Sequence, residues 1–313
     1  MGPADTAVGR LLGMAEERGW RARVVPIGRL ADLREAILGR REQGLLDEAL
    51  CREQLGGFSF DPPPELPEAR SIIVVAVPTP QMRVFFRLRG EGVPVVVPPT
   101  YVGYTPRTVS VQRALEEWLG GEGYRLARPQ LPLKTLAVRS GLAEYGRNNV
   151  CFVPGMGSFL QLVAACSDLP CEGDPWREPK ALDRCESCVA CVRRCPTGAI
   201  EEDRLLIRAE RCLTWHNEAA AEFPDWMDPS WHHCLIGCMR CQTVCPENKG
   251  LLGWFEDRAE FSERETALLL ERTPQERLPA ETVAKLRSLE INGDYRLLCR
   301  NLSMILGREG GAG

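Results

Sequence analysis

The apolar positions in the first 170 or so residues follow two periodicities in turn. Val8, Leu11, Leu12 and Ala15 fall on one face of a helix, whereas the unbroken apolar run 72–77 is typical of a buried strand. Similar patterns predict helices over 7–18, 30–50, 106–120 and 132–140, and strands over 21–27, 71–77, 83–88, 93–97, 150–153 and 158–165. Helices and strands that alternate in this way indicate an α/β or α+β domain.

In the second half of the chain, cysteines rather than apolar spacing organise the sequence. There are 14 cysteines. One run begins at Cys185 and has the spacing Cys-x2-Cys-x2-Cys-x3-Cys-Pro; another begins at Cys238 and has Cys-x2-Cys-x3-Cys-Pro. The first spacing is that of bacterial ferredoxins, in which the fourth cysteine binds the neighbouring cluster. The chain is therefore predicted to hold two [4Fe–4S] clusters and to move electrons one at a time.

Zinc and disulfides explain the cysteine spacing less well. A structural zinc site uses Cys-x2-Cys pairs, but it does not account for a third cysteine two residues on or for the closing Cys-Pro. A disulfide framework suits a short secreted chain rather than one of 313 residues.

The crossed ferredoxin arrangement assigns most of the ligands. The first cluster takes Cys185, Cys188, Cys191 and Cys245, and the second takes Cys195, Cys238, Cys241 and one more cysteine. Spacing leaves Cys212 and Cys234 open as that last ligand, since Cys234 misses the ferredoxin-like position by one residue and Cys212 is distant in sequence. The remaining cysteines are predicted to be buried apolar fillers or free thiols.

Short helices are predicted after the cysteine runs, over 262–272, 280–288 and 295–306, and Ser262 with Glu265 has the spacing of a capping box. The sequence thus predicts an α+β fold in three parts. These are an α/β N-terminal domain over 1–175, a ferredoxin-like domain with two [4Fe–4S] clusters over 176–255, and a helical C-terminal segment over 256–313.

Net charge and hydropathy indicate which kinds of partner to expect. A net charge of −4 does not indicate a general nucleic-acid binder. Residues 1–10 contain no apolar stretch of a signal peptide, and the apolar run 72–77 is too short to span a membrane. We therefore expect a cytoplasmic protein without a membrane partner. The sequence has no G-x-G-x-x-G after a strand and no Walker A loop to support a nucleotide cofactor.

Several segments resemble a known family. Residues 185–200, Arg211-Cys212 and 237–249 resemble the double-cluster domain of epoxyqueuosine reductase, which is shared with the cobalamin-dependent reductive dehalogenases. Upstream, 137–148 resembles the family's A-x-x-x-G-L-G-x-x-G-K-N segment. Near the end, 296–301 resembles its R-x-x-x-R-N helix. The resemblance covers about residues 130–307.

The resemblance implies a set of ligands, a cofactor and a reaction. It favours Cys212 over Cys234 as the last ligand of the second cluster. It implies a base-off cobalamin in a pocket between the α/β domain and the cluster domain. It also implies that low-potential electrons, from a donor such as ferredoxin or flavodoxin, pass through the clusters to cobalt and reduce a small-molecule substrate.

The chain also departs from the family pattern. Epoxyqueuosine reductases carry an acidic proton donor in a V-D-x-x-P stretch, but Pro129 stands at the acid's place and residues 123–136 contain no Asp or Glu. The family's tRNA-binding enzymes have a longer helical C-terminal extension, and its respiratory dehalogenases have a twin-arginine leader. From these differences and the net charge we expect tRNA to be an unlikely partner and the substrate to be a different one.

Most candidate site residues lie in the polar turns over 140–149 and 155–159, and two tyrosines lie upstream of them. The candidate proton donors are Tyr145, Glu144, Tyr101 and Tyr104, and the candidate corrinoid contacts are Arg147, Asn148, Asn149 and Ser158. The alternatives are ordinary turn chemistry, packed tyrosines with satisfied hydroxyls and, for Arg147, a surface charge.

The function predicted from the sequence is an epoxyqueuosine-reductase-like or dehalogenase-like oxidoreductase. Two other classes stay open. One is an electron-transfer or activating protein that reduces a partner's cofactor and has no substrate of its own. The other is a corrinoid-binding or sensing protein.

Overall fold

The computed structural model describes residues 6–171, 173–291 and 294–307, which divide into two compact units. Unit 1 comprises the described residues of Met1–Pro78, Arg107–Val189 and Ile200–Ala209, and unit 2 those of Thr79–Pro106, Ala190–Ala199 and Glu210–Gly313. These units differ from the three predicted domains, because the segment 79–106 groups with later parts of the chain.

The predicted elements are largely present. The helices are α1 (Ala7–Glu17), α2 (Arg29–Glu42), α3 (Glu48–Gln54), α4 (Tyr104–Gly121), α5 (Leu133–Arg139), α6 (Ala190–Arg194), α7 (Leu213–Glu218), α8 (Arg240–Thr243), α9 (Glu263–Leu270), α10 (Ala280–Ser288) and α11 (Tyr295–Leu306). The strands are β1 (Arg21–Pro26), β2 (Ser71–Pro78), β3 (Gln81–Leu88), β4 (Glu91–Val97), β5 (Leu126–Ala127), β6 (Glu144–Tyr145), β7 (Cys151–Phe152), β8 (Leu160–Ser167) and β9 (Phe255–Phe261). The helix predicted over 30–50 is two helices, and β9 was not predicted.

Unit 1 is built on an antiparallel sheet in the order β1-β2-β8-β5. Strand β2 is buried on both faces. Ile72 and Val74 pack in one core with residues of α2 and α5, whereas Ile73 and Val75 pack in another with residues of α1 and α4. This two-sided burial explains the unbroken apolar run.

Unit 2 contains a three-stranded sheet in the order β4-β3-β9, in which β3 pairs antiparallel with β4 and parallel with β9. Phe86 of β3 stacks on Phe261 of β9, with 5.0 Å between ring centroids. Helices α9 and α11 contribute to the same core. The capping box at the start of α9 is present, with Ser262 and Glu265 as its members.

The α+β class is confirmed, since helices cover largely antiparallel sheets. Within the part of the chain that the structure describes, no helix combines the length and apolar character needed to cross a membrane.

Candidate iron–sulfur cluster sites

Unit 2 gathers the cysteines that were assigned to the second cluster. Cys212 is the N-cap of α7, and Cys238 precedes α8. Burial raises the pKa of both thiols, that of Cys238 to about 12, and each also interacts electrostatically with Cys195. Cys212 and Cys238 interact with each other as well. Three of the four expected ligands therefore share one neighbourhood.

Exposure separates the predicted ligands from Cys234, the alternative eighth ligand. Seven cysteines of the two runs and Cys212 are partly exposed, whereas Cys234 is fully buried. Cys234 also forms an isolated bridge with Val96 of β4, and the N–H of Leu235 donates to the Val96 carbonyl at 2.9 Å. A ligand has to present its sulfur to the cofactor, so this geometry favours Cys212. Four spare cysteines are buried, as predicted: Cys51, Cys151, Cys166 and Cys299.

Hydrogen-bond donors reach several of the sulfurs. The N–H of Arg147 donates to Cys185 Sγ at 3.4 Å, and Thr197 Oγ1 lies 3.4 Å from Cys195 Sγ. Backbone N–H groups of residues 214 and 215 bond the thiol of Cys212. Such bonds stabilise thiolates and help to set the reduction potential of a cluster. The donor set therefore fits iron–sulfur ligation.

A single-ion site fits less well. Among the described residues, no three His, Cys, Asp or Glu side chains converge tightly enough to hold one metal ion. Thiolates that ligate a cubane sit at its separate corners, and so they lie farther apart than the ligands of one tetrahedral ion. The described residues therefore present no site for a single ion.

Arg147 contacts the first cysteine loop. Its guanidinium donates to the carbonyl oxygens of Cys185, Cys188 and Glu202, with 3.3 Å between Nε and the Cys188 oxygen. A cleft of about 410 Å³ in unit 1 is lined by Arg147 and Cys185, among other residues. The side chain of Arg147, a predicted corrinoid contact, is thus hydrogen-bonded within its own chain.

The other three candidate corrinoid contacts also serve local structure. Asn148 is 4% exposed and accepts a bond from the Val150 N–H at 3.3 Å. Asn149 has φ +56° and accepts bonds from Lys134 Nζ through its backbone oxygen at 3.2 Å and Oδ1 at 3.3 Å. Ser158 is 3% exposed. Their role as corrinoid contacts stays a prediction.

Three of the four candidate proton donors have local contacts that give them no distinctive role. Tyr145 is 2% exposed in the core of unit 1, with its hydroxyl 3.3 Å from Thr135 Oγ1. The carboxylate of Glu144 lies 3.9 Å from the guanidinium of Arg177. Tyr104 is partly buried at the start of α4. The packing alternative describes Tyr145 well.

Tyr101 is different, because it lies beside the cysteines of unit 2. Its hydroxyl donates to Glu218, and its ring packs against Gly237, which precedes Cys238. Burial raises the pKa of Tyr101 well above its ordinary value, and Glu218 and the nearby Cys212 add to the increase. Surrounding protein also raises the pKa of Glu218, although this carboxylate retains access to solvent. The pair joins Glu218, which is exposed as a residue, to a tyrosine beside the second cysteine set.

A buried polar network that was not predicted joins α11 to the cysteine-bearing segments. Asn301 Nδ2 donates to the carbonyl oxygens of Asn217 and Leu235, both at 3.0 Å, and Asn217 Nδ2 donates to the Gly237 oxygen at 2.7 Å. Arg300 donates to carbonyls after Cys212, namely those of residues 216, 217, 219 and 221. The resemblance at 296–301 marked this helix but gave it no role.

The fold and the cysteine motifs define an iron–sulfur protein with two clusters. Residues 184–248 match the model of a 4Fe-4S double cluster binding domain, which confirms the prediction of two [4Fe–4S] clusters. The chain is 34% identical over 121 residues to the epoxyqueuosine reductase of Bacillus subtilis (strain 168), a match that covers 39% of this chain and 30% of that enzyme. It is 32% identical over 140 residues to the enzyme of Cyclobacterium marinum, with 44% of each chain covered.

Solved structures extend the resemblance in fold. The epoxyqueuosine reductase of Streptococcus thermophilus aligns with a TM-score of 0.67 and 19% identity, covering 97% of this chain and 81% of that one. An epoxyqueuosine reductase solved with an epoxyqueuosine-modified tRNA-Tyr stem loop aligns with a TM-score of 0.66 and 20% identity, with the same coverage. The predicted resemblance to epoxyqueuosine reductase is confirmed.

These matches also give the share of the relatives that the chain covers and one ligand of a structural neighbour. The sequence matches span less than half the length of the two curated relatives, 30% and 44%. The tRNA stem loop bound to a structural neighbour also runs against our expectation that tRNA is an unlikely partner. Net charge alone does not exclude tRNA, because a local surface can bind a nucleic acid whatever the overall charge.

Proposed function

We propose that the chain is an iron–sulfur oxidoreductase of the epoxyqueuosine reductase type that works with two [4Fe–4S] clusters. The observation that carries the proposal is the gathering of Cys195, Cys212 and Cys238 in unit 2, within and around a segment that matches a double-cluster domain. Two clusters make the protein suited to one-electron steps from a low-potential donor such as ferredoxin or flavodoxin.

The proposed ligands are those of the crossed arrangement with Cys212 as the eighth. The first cluster takes Cys185, Cys188, Cys191 and Cys245, and the second takes Cys195, Cys212, Cys238 and Cys241. All eight residues are partly exposed and Cys234 is fully buried, which supports this choice.

The proposed proton donor is Tyr101, with Glu218 as its source of protons. The hydroxyl donates to a carboxylate that retains access to water, so a proton lost from Tyr101 can be replaced from solvent through Glu218. Since residues 123–136 provide no acid, this pair offers an alternative source.

The proposal does not depend on a corrinoid, and the experiments below test whether one binds. A base-off corrinoid, when bound, would supply a reducible cobalt close to the substrate. The four residues predicted to hold it are engaged with their own chain, and so no step of the proposal passes through it. The substrate class is likewise open between a small molecule and the modified base of a tRNA.

The second candidate function is an electron-transfer or activating protein. It is favoured by the absence of an acid in residues 123–136, because a protein without a substrate needs no proton donor. Tyr101 with Glu218 favours the enzyme instead.

The test is anaerobic reconstitution followed by iron analysis and spectroscopy. We expect about eight irons per chain, and Cys212→Ala should lose about half of them while Cys234→Ala loses none. Equal losses in the two variants, or the reverse order, would contradict the ligand assignment. Zinc in place of iron would contradict the function itself.

Substrate-dependent reoxidation of the reduced protein separates the enzyme from the carrier. The probes are an epoxyqueuosine-modified tRNA stem loop and small epoxides and halides, each with and without cobalamin. Reoxidation by one of these probes supports the reductase. A corrinoid band in the visible spectrum would show that cobalamin is bound. Two intact clusters that none of these probes reoxidises support the carrier.

A further inference from the structure

Arg147 lies in a tight turn between β6 and β7. The N–H of Gly146 donates to the Val150 oxygen and that of Asn149 donates to the Gly146 oxygen, both at 2.8 Å. A Cβ atom at position 146 would lie 2.5 Å from Asn148 Oδ1 and from the ring of Phe152. The turn is therefore closely packed, and it fixes the position of the Arg147 backbone.

From this turn, Arg147 makes four bonds to the segments around the first cysteines. Its N–H donates to Cys185 Sγ at 3.4 Å. Its three guanidinium nitrogens each bond a different carbonyl oxygen, those of Cys185, Cys188 and Glu202. Only arginine has this planar fork of donors, and a lysine ammonium can replace its charge but not its geometry.

The same contacts place a fixed positive charge next to two proposed ligands. An arginine side chain carries a delocalised positive charge. Reduction makes a cluster more negative, so a cation beside its ligands stabilises the reduced form and raises its potential. The cleft that reaches Cys185 is lined by Arg147 itself, so a cluster held by Cys185 would lie close to solvent at this end.

We propose that Arg147 is a positioning residue of the first cluster, which holds the loop of Cys185 and Cys188 and raises the reduction potential of that cluster. The inference rests on the proposed function, since it requires that the cluster is present. A higher potential at a cluster next to solvent suits the site where electrons enter from a donor.

The test is a redox titration of the reconstituted protein, followed by EPR, for Arg147→Lys, Arg147→Gln and the control Arg177→Gln. Arg177 is another arginine of unit 1, and it donates to the Ala143 oxygen at 3.1 Å. The Cys212→Ala background removes the second cluster's signal and so isolates the first. We expect Arg147→Gln to shift the potential of the first cluster downwards, Arg147→Lys to shift it less, and Arg177→Gln to leave it unchanged.

The possible outcomes separate failure of the Arg147 inference from failure of the proposed function. Loss of about half the iron in Arg147→Gln, with full iron in Arg177→Gln, also supports the positioning role. Two intact clusters with unchanged potentials in both Arg147 variants overturn the inference alone. A wild-type protein that holds no cluster after reconstitution overturns the inference together with the proposed function.

Discussion

The backbone conformation at Gly237 and the neighbouring Tyr101 ring both favour glycine at this position. Its φ of +68° favours glycine, and a Cβ atom there would lie 2.5 Å from the Tyr101 ring. We expect Gly237→Ala to lower the free energy of unfolding by about 1–3 kcal/mol and to disturb the second cluster. Gly198→Ala is the matched control, because Gly198 has φ +64° with no neighbour within 4 Å of the added Cβ. Urea unfolding and EPR of both variants would measure the excess effect, and equal effects would remove Tyr101 from the explanation.

Tyr101 and Tyr145 provide a second matched pair at the residue scale. Both hydroxyls have a side-chain partner, but that of Tyr101 bonds Glu218 next to the cysteines, whereas that of Tyr145 lies next to Thr135 in the core. Loss of a general acid typically slows a reaction by about 10²-fold or more. We therefore expect Tyr101→Phe to slow substrate-dependent reoxidation by at least that factor with both clusters intact, while Tyr145→Phe reoxidises at the wild-type rate. Equal rates in the two variants would exclude Tyr101 as the proton donor.

At the scale of elements, apolar periodicity predicted which strands are buried in a core. It did not predict which strand pairs at the edge of a sheet. The two-sided burial of β2 produces a run that can be recognised without the structure. Strand β9 is mostly charged, because one of its faces carries Asp257 and Glu260, which pair with Arg83 and Arg87 of β3. Its pairing partner lies more than 160 residues away, and local pattern does not contain that information.

Helix α11 supports the second cysteine set through Asn301. Replacing this side chain by alanine leaves the buried oxygens of Asn217 and Leu235 without those donors, at a cost of about 2 kcal/mol or more. We expect Asn301→Ala to lose stability and about half the iron. Arg296→Ala, an exposed change on the same helix, should lose neither. Full iron in Asn301→Ala, measured after reconstitution, would show that the network does not hold the cluster site.

At the scale of the whole molecule, cysteine spacing predicted the chemistry while contacts distant in sequence decided the roles of other residues. The two runs indicated two clusters without any structure. Neither the engagement of Arg147 with the loop of Cys185 nor the contact of Tyr101 with Glu218, 117 residues away, leaves a local signature. For this reason spacing could propose the cluster ligands, whereas it could not reveal the contacts that Arg147 and Tyr101 make.

The two units should respond differently when the clusters are removed. The cysteine-bearing part of unit 2 over 210–248 contains only short helices, such as α7 with 6 residues and α8 with 4, which are too short to be stable alone. Ligation there contributes to folding, as in other small metal-binding segments. The sheet of β1, β2 and β8 in unit 1 has its own apolar cores. After chelation under mild oxidation, we expect hydrogen exchange measured by mass spectrometry to rise across 210–248 and to stay low in that sheet. Unchanged protection over 210–248, or an equal rise in the sheet, would show that the clusters are not what holds this segment in place.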